Sequence, residues 1–187
     1  MDDVKKIRGG SLIARALHDK GIENVFTLSG GFCNPALEGF MECQMSVINC
    51  PHEQIAGHLA DGHTRITRKP SVCLVGPEGF ANAVPSMMEA WGERSPVIFV
   101  TGSSTFKRQG SGGFKEIDDV SIADPLTKYS VSVNDGNRIR EYVDKAYKMA
   151  INGYPGAVHL SIPVDIMFSS FPEDAGLNER PFSHLSS

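Results

Sequence analysis

Residues 71–102 read SVCLVGPEGFANAVPSMMEAWGERSPVIFVTG, and this stretch decides the fold. SVCLV (71–75) is a short, fully apolar run, which suits a strand buried on both faces. GPEG then turns the chain, and a helix is expected from about Phe80 to Ala90. PVIFVTG (96–102) is the clearest strand in the chain. Strand, helix, strand is a βαβ unit, and such units build parallel sheets.

The same alternation continues outward. Upstream, Ser11 opens LIARALHDK, which Gly21 closes, and NVFTL (24–28) follows as a strand. After the tight loop SGGFCN, Asn34 and Pro35 suit the cap and first position of a helix, PALEGFME. SVINC (46–50) is the next strand. EQIAGHLADGHTRITR follows as a helix whose expected apolar stripe holds Ile55, Leu59 and Ile66. Downstream, Ser103–Gly113 reads as a mobile, glycine-rich loop. YSVSV (129–133) and AVHLSI (157–162) are strands, and RIREYVDKAYKMAI between them is a helix burying Ile139, Val143, Ala146 and Ala150. The expectation is an α/β fold: a three-layer α/β/α arrangement around a mostly parallel sheet of about six strands. Residues 1–168 form one domain, and 169–187 read as a polar tail or linker.

Composition narrows the function. The chain has 187 residues, 41% of them hydrophobic, and a formal charge of −4. That is ordinary globular composition, with no basic cluster for nucleic acid or an anionic membrane. No apolar run is long enough to span a bilayer, and MDDVKKIRGG lacks a signal-like apolar core. Cysteines 33, 43, 50 and 73 form no CxxC pair, so a reduced, cytoplasmic chain is expected.

In a parallel sheet, ligands lie beyond the carboxyl ends of the strands. The loops Ser29–Asn34, Pro51–Gln54, Gly76–Asn82 and the one after Gly102 therefore matter most. His52, His58 and His63 are spaced i+6 and i+5, which does not match the i+4 metal pair of HExxH, so no metal is expected on this chain. Gly-x-Ser-x-Gly is absent, and nothing marks a histidine partner for Cys33. The pairs Gly30-Gly31 and Gly112-Gly113 fit neither a P-loop nor G-x-G-x-x-G. The informative residue is Glu53, which opens a helix directly after a strand end. By itself it reads equally as a carboxylate favoured by the helix dipole.

GIENVFTLSGG, CPHEQIAGHLADGHTRITRKPSVCLV, GFANAVPSMMEAWGERSPVIFVTGS, FKEIDDVSIADPLTKYSVSV and GYPGAVHLSIPVDI occur in this order. Together they resemble the N-terminal, pyrimidine-binding domain of the thiamine diphosphate (ThDP) enzymes of the acetolactate synthase, benzaldehyde lyase and 2-hydroxyacyl-CoA lyase group. The resemblance runs from about Gly10 to Phe168. It implies that Glu53 hydrogen-bonds N1′ of the cofactor's aminopyrimidine, favouring the tautomer whose 4′ nitrogen takes the proton from thiazolium C2. Burial of such a glutamate disfavours its charge and lets it share that proton near neutral pH. The resemblance places Gly30, Gly31, Gly79, Phe80 and Asn82 beside the cofactor and Phe32 on the substrate side; Cys33, Gln109 and Lys115 are further candidate substrate-side residues.

Several residues depart from the group. Its T-x-G-P-G is here Val75-Gly76-Pro77-Glu78-Gly79, without the threonine and one residue short beside benzaldehyde lyase. Lys115 replaces a common glutamine, Phe32 replaces the histidine of benzaldehyde lyase, and TFKRQGSGG lacks the histidine pair of pyruvate decarboxylase-type enzymes. The group's G-D-G-S…N motif, which holds the diphosphate through Mg²⁺, is absent from these 187 residues. The resemblance thus implies the pyrimidine-binding subunit of a split lyase, decarboxylase or carboligase. Its partner subunit would supply diphosphate and Mg²⁺ binding in a hetero-oligomer such as α2β2 or larger. The alternatives are a non-catalytic ThDP-like scaffold or regulatory subunit, a piece of a longer acetolactate synthase-like chain, or an unrelated nucleotide-binding α/β module.

Overall fold

The computed structural model describes residues 5–177. The first four residues and the last ten residues of the expected tail lie outside that range.

Strand β4 (Ser71–Val75) lies at the heart of the sheet. It pairs in parallel with β2 (Asn24–Thr27) on one side and β5 (Val97–Ser103) on the other. Beyond β2 lies the edge strand β3 (Ser46–Asn49). Beyond β5 lies β7 (Val158–Pro163), then the edge strand β6 (Ser130–Ser132). The order β3-β2-β4-β5-β7-β6 is parallel throughout. Every residue of β4, β5 and β7 is buried, as a sheet covered on both faces requires. All six strands fall where the apolar runs placed them.

Helices α1 (Gly9–His18), α2 (Asn34–Glu42) and α6 (Ile139–Ile151) cover one face. Leu12, Leu17, Phe40, Ile139 and Val143 pack there against Val25, Leu74, Ile98 and Leu160. Helices α3 (Glu53–Thr67), α4 (Pro77–Gly92) and α5 (Asp119–Ala123) cover the other. Ala56, Ala60, Phe80, Ala83 and Met87 meet Phe26, Cys73, Val75 and Phe99 on that side. A short helix, α7 (Val164–Phe168), follows β7 directly.

Four expectations are corrected. On α3, Ile55, Leu59 and Ile66 are exposed, Ile66 at 85%. The buried face is instead Ala56, Gly57, Ala60, Asp61 and Thr64. Small residues let α3 press close to α4: a Cβ on Gly57 would lie 1.8 Å from Ser86 Oγ. The bulky side chains are left outside that contact. Second, α4 begins at Pro77 rather than near Phe80, because proline suits the first helical position and Phe80 N–H already donates to Gly76 O. Third, Asn34 lies inside α2 rather than capping it, since a 3₁₀ turn over Gly31–Cys33 leads straight into the helix.

The fourth concerns the tail. Its first residues form β8 (Ser170–Pro172), antiparallel to β1 (Lys6–Arg8). The Phe171 ring lies where a Cβ on Gly136 would come within 2.0 Å of it, so the packed body extends past residue 168.

Candidate active site

The chain runs from β2 outward to β3 and returns on the other side to β4. The loops after β2 and β4 therefore diverge, leaving a crevice at this switch in strand order. A cleft of about 270 Å³ occupies it, walled by Leu28–Phe32 and Gly76–Gly79, with Glu53 and Lys115 also lining it.

Glu53 is placed by the end of β3. Cys50 N–H donates to Thr27 O at 2.6 Å, and Ser29 N–H donates to Asn49 Oδ1 at 3.2 Å, tying the loops after β2 and β3 together. His52 caps α3, its Nδ1 accepting from Gln54 N–H at 3.2 Å. Glu53 is then the first residue of the helix, where the dipole favours a carboxylate. Asn82, one turn into α4, donates from Nδ2 to Glu53 Oε2 at 3.0 Å. Gly79 forms the wall beside it: a Cβ there would lie 2.7 Å from Glu53 Cγ and 2.8 Å from Oε1. Gly30 and Gly31 face open space, with nothing within 4 Å of an added Cβ. Glu53, Asn82, Gly79, Gly30 and Gly31 are thus brought together.

Phe80 is not part of this surface. Its side chain is fully buried, 5.1 Å from the His159 ring between centroids, so only its backbone is near the cleft. Cys33 is also buried, because the 3₁₀ turn aims it inward. Its Sγ donates to Val75 O at 3.2 Å, and burial pushes the thiol up to about 12. Its side chain is fully buried and does not line the cleft. Gln109 lines a separate pocket with Asp119 and Ser161. Phe32 and Lys115 do face the cleft, and Phe32 also lines a second pocket with Arg108 and Phe114.

The Ser103–Gly113 loop is held at several points. Asp165 accepts from Phe106 N–H at 3.0 Å and Lys107 N–H at 3.3 Å, and Glu116 accepts from Gly113 N–H at 2.7 Å and from Gly110 N–H. These contacts hold the Glu116 and Asp165 carboxyls below their usual range: the Gly110 bond leads for Glu116, and for Asp165 the bonds outweigh an opposing burial effect. The contribution of Glu78 was not visible in sequence. It pairs with Lys115 across the cleft, and that hydrogen bond holds its carboxyl below the usual range. Among the described residues no cluster of histidine, cysteine and acidic side chains is placed to hold a metal ion. No helix there is long and apolar enough to cross a membrane.

Residues 7–122 match the family model for the thiamine pyrophosphate enzyme, N-terminal TPP binding domain. The chain belongs to this family. It is 33% identical over 162 residues to a probable acetolactate synthase large subunit of Methanocaldococcus jannaschii, covering 86% of this chain and 27% of that protein. It is 32% identical to an acetolactate synthase large subunit of Mycobacterium tuberculosis, covering 87% of this chain and 30% of the relative. It is equally 32% identical to 2-hydroxyacyl-CoA lyase 2 of Danio rerio, over 86% of this chain and 26% of that enzyme. The chain therefore spans under a third of the length of these relatives. Family membership implies thiamine diphosphate as the cofactor.

Proposed function

We propose that this chain is the pyrimidine-binding part of a ThDP-dependent lyase, decarboxylase or carboligase that breaks or forms a C–C bond beside a carbonyl. The substrate class is a 2-oxo acid, a 2-hydroxy ketone or a 2-hydroxyacyl compound. The observation that carries this reading is the Glu53 carboxylate, held by Asn82 at the floor of a glycine-walled cleft.

The residues fit the aminopyrimidine end of the cofactor. Glu53 presents Oε1 as an acceptor for a ring nitrogen, while Oε2 is occupied by Asn82. Gly79 removes the side chain that would push Glu53 aside, and Gly30 and Gly31 leave room for a flat ring. When bound, the cofactor supplies a carbanion equivalent and an electron sink. Glu53 would hold the proton at N1′, Asn82 would fix its carboxylate, and Phe32 would exclude water from one side.

The diphosphate and its Mg²⁺ would be held by a surface outside these 187 residues, on a second polypeptide. Two features support a covering partner. Glu53 is only half-buried in this chain. Ile55 and Leu59 on α3, with Met88 and Trp91 on α4, present apolar side chains to solvent. A second reading places that surface further along one longer chain, and the length of the relatives favours it.

Co-expression with a polypeptide carrying G-D-G-S…N tests the two-chain form. Co-purification and ThDP- and Mg²⁺-dependent turnover of a carbonyl substrate are expected. Activity indifferent to Glu53→Gln would favour the scaffold alternative.

A further inference from the structure

Among the described residues, four other than glycine have a left-handed backbone: Gln44, Arg68, Arg94 and Lys115. The first three lie one or two residues past the ends of α2, α3 and α4, where that conformation ordinarily ends a helix. Lys115, at φ 59°, follows no helix. A residue held this way in a loop carries a local conformational cost, and such costs concentrate at functional sites. Here the backbone delivers one ammonium group to the cleft. Lys115 Nζ lies 5.7 Å from the Phe32 ring centre and 5.1 Å from the Phe114 ring centre, and it pairs with Glu78. Two ring faces favour a cation and shed water on their side.

The charges around the cleft make this pair informative. Among the described residues, Glu53, Glu78 and Lys115 are its charged lining residues, so Lys115 is the one cation there. Glu78 is the second residue of α4, and its side chain is 58% exposed. It has another favourable position without Lys115, because the helix N-terminus stabilises a carboxylate there. Exposed ion pairs are weak, so the pair is poised to exchange. An ammonium has three donors, and Glu78 is the one side-chain acceptor that reaches Lys115 among the described residues.

We infer that Lys115 and Glu78 form a displaceable ion pair, and that a carboxylate on the substrate takes the place of Glu78. The inference deepens the proposed function and rests on it for the direction in which the cleft faces. Of the three substrate classes above, it selects the 2-oxo acid. A carboxylate entering beside Lys115 keeps the ammonium neutralised and lets the Glu78 charge swing away from Glu53. A neutral carbonyl compound offers Lys115 no charge in exchange and leaves the pair closed.

The test uses the full 187-residue chain without ThDP. Pyruvate serves as the anionic probe and acetone as its neutral counterpart, both followed by the Lys115 Cε resonance in lysine-labelled protein. Pyruvate is expected to shift that resonance saturably, and acetone is not. Glu78→Gln should tighten pyruvate about fivefold by removing the internal competitor. Lys115→Gln, which lacks that resonance and is read by isothermal titration calorimetry with pyruvate, should abolish the binding, and the double variant, read the same way, should match it. Pyruvate affinity unchanged in Glu78→Gln, retained in Lys115→Gln, or matched by acetone would overturn the inference. Because no cofactor is present, such a failure leaves the role of Glu53 standing. Conversely, an inert Glu53→Gln substitution in the turnover assay would sink the ThDP reading alone.

Discussion

Gly79 and Glu53 are in contact, and a single methyl group cannot be inserted between them: a Cβ at position 79 would sit 2.7 Å from Glu53 Cγ. Gly79 is buried in the first turn of α4, so its backbone cannot easily retreat, whereas the Glu53 side chain can turn. Gly79→Ala should therefore displace the carboxylate and leave the fold intact. The expected result is a loss of ThDP-dependent turnover of about 10²-fold or more, with a melting temperature close to that of the parent. Full activity in Gly79→Ala would show that the carboxylate position is not critical.

The α3–α4 contact rests on Gly57 and Ser86 in the same manner, but here both groups are buried structural parts. Gly57→Ala should destabilise the chain by about 1–3 kcal/mol through overpacking. Adding Ser86→Gly removes the opposing hydroxyl and should recover part of that loss. Urea denaturation of the two single variants and the double variant reads the coupling.

Two buried titratable groups bend the acid side of the stability profile in opposite directions. His159 lies inside β7, between Thr101 Oγ1 and Ser130 Oγ at 3.0 Å each, and burial lowers it from 6.5 to about 3. Its folded-state value is depressed, so its contribution is complete above about pH 6.5 and is lost as pH falls toward 3. Asp119, with Oδ2 3.9 Å from His159 Nε2, is raised to about 6, chiefly by burial. Its contribution has the opposite sign, complete below its ordinary value of 3.8 and fading as pH rises through 6. His159→Gln should flatten the loss of stability below pH 6.5. Asp119→Asn should remove the opposing slope. Denaturation midpoints measured across this range check both signs.

Phe171 anchors the start of the expected tail over Gly136. Phe171→Ala should cost about 1–2 kcal/mol, below the figure for a fully buried phenylalanine because the ring is half-buried. A truncation after residue 168 should cost at least as much, since it also removes the β1–β8 pairing. Thermal unfolding of both variants measures this.

Much of the architecture was legible because parallel strands buried on both faces leave continuous apolar runs, such as Val97–Val100. The cleft was legible for a related reason: strand ends locate loops, and the loops bearing Gly30, Glu53, Gly79 and Lys115 do meet. What sequence could not show was direction. Cys33 and Phe80 lie in the right loops but point into the core. Ile55 and Leu59 mark an amphipathic helix, yet the face made of small residues is the buried one, because close packing favoured Gly57 and Ala60 over larger side chains. Phe171 lies in a polar stretch, and its ring, packed over Gly136, outweighs that composition. Glu78 depended on a contact 37 residues distant in the chain.

If Glu53 activates the cofactor through its pyrimidine ring, exchange of the ThDP C2 proton for deuterium depends on its carboxylate. Measured by quenched-flow NMR on the assembled enzyme, exchange should be fast with the native chain and slower by about 10²-fold or more with Glu53→Gln. Equal exchange rates in the two proteins would contradict the account.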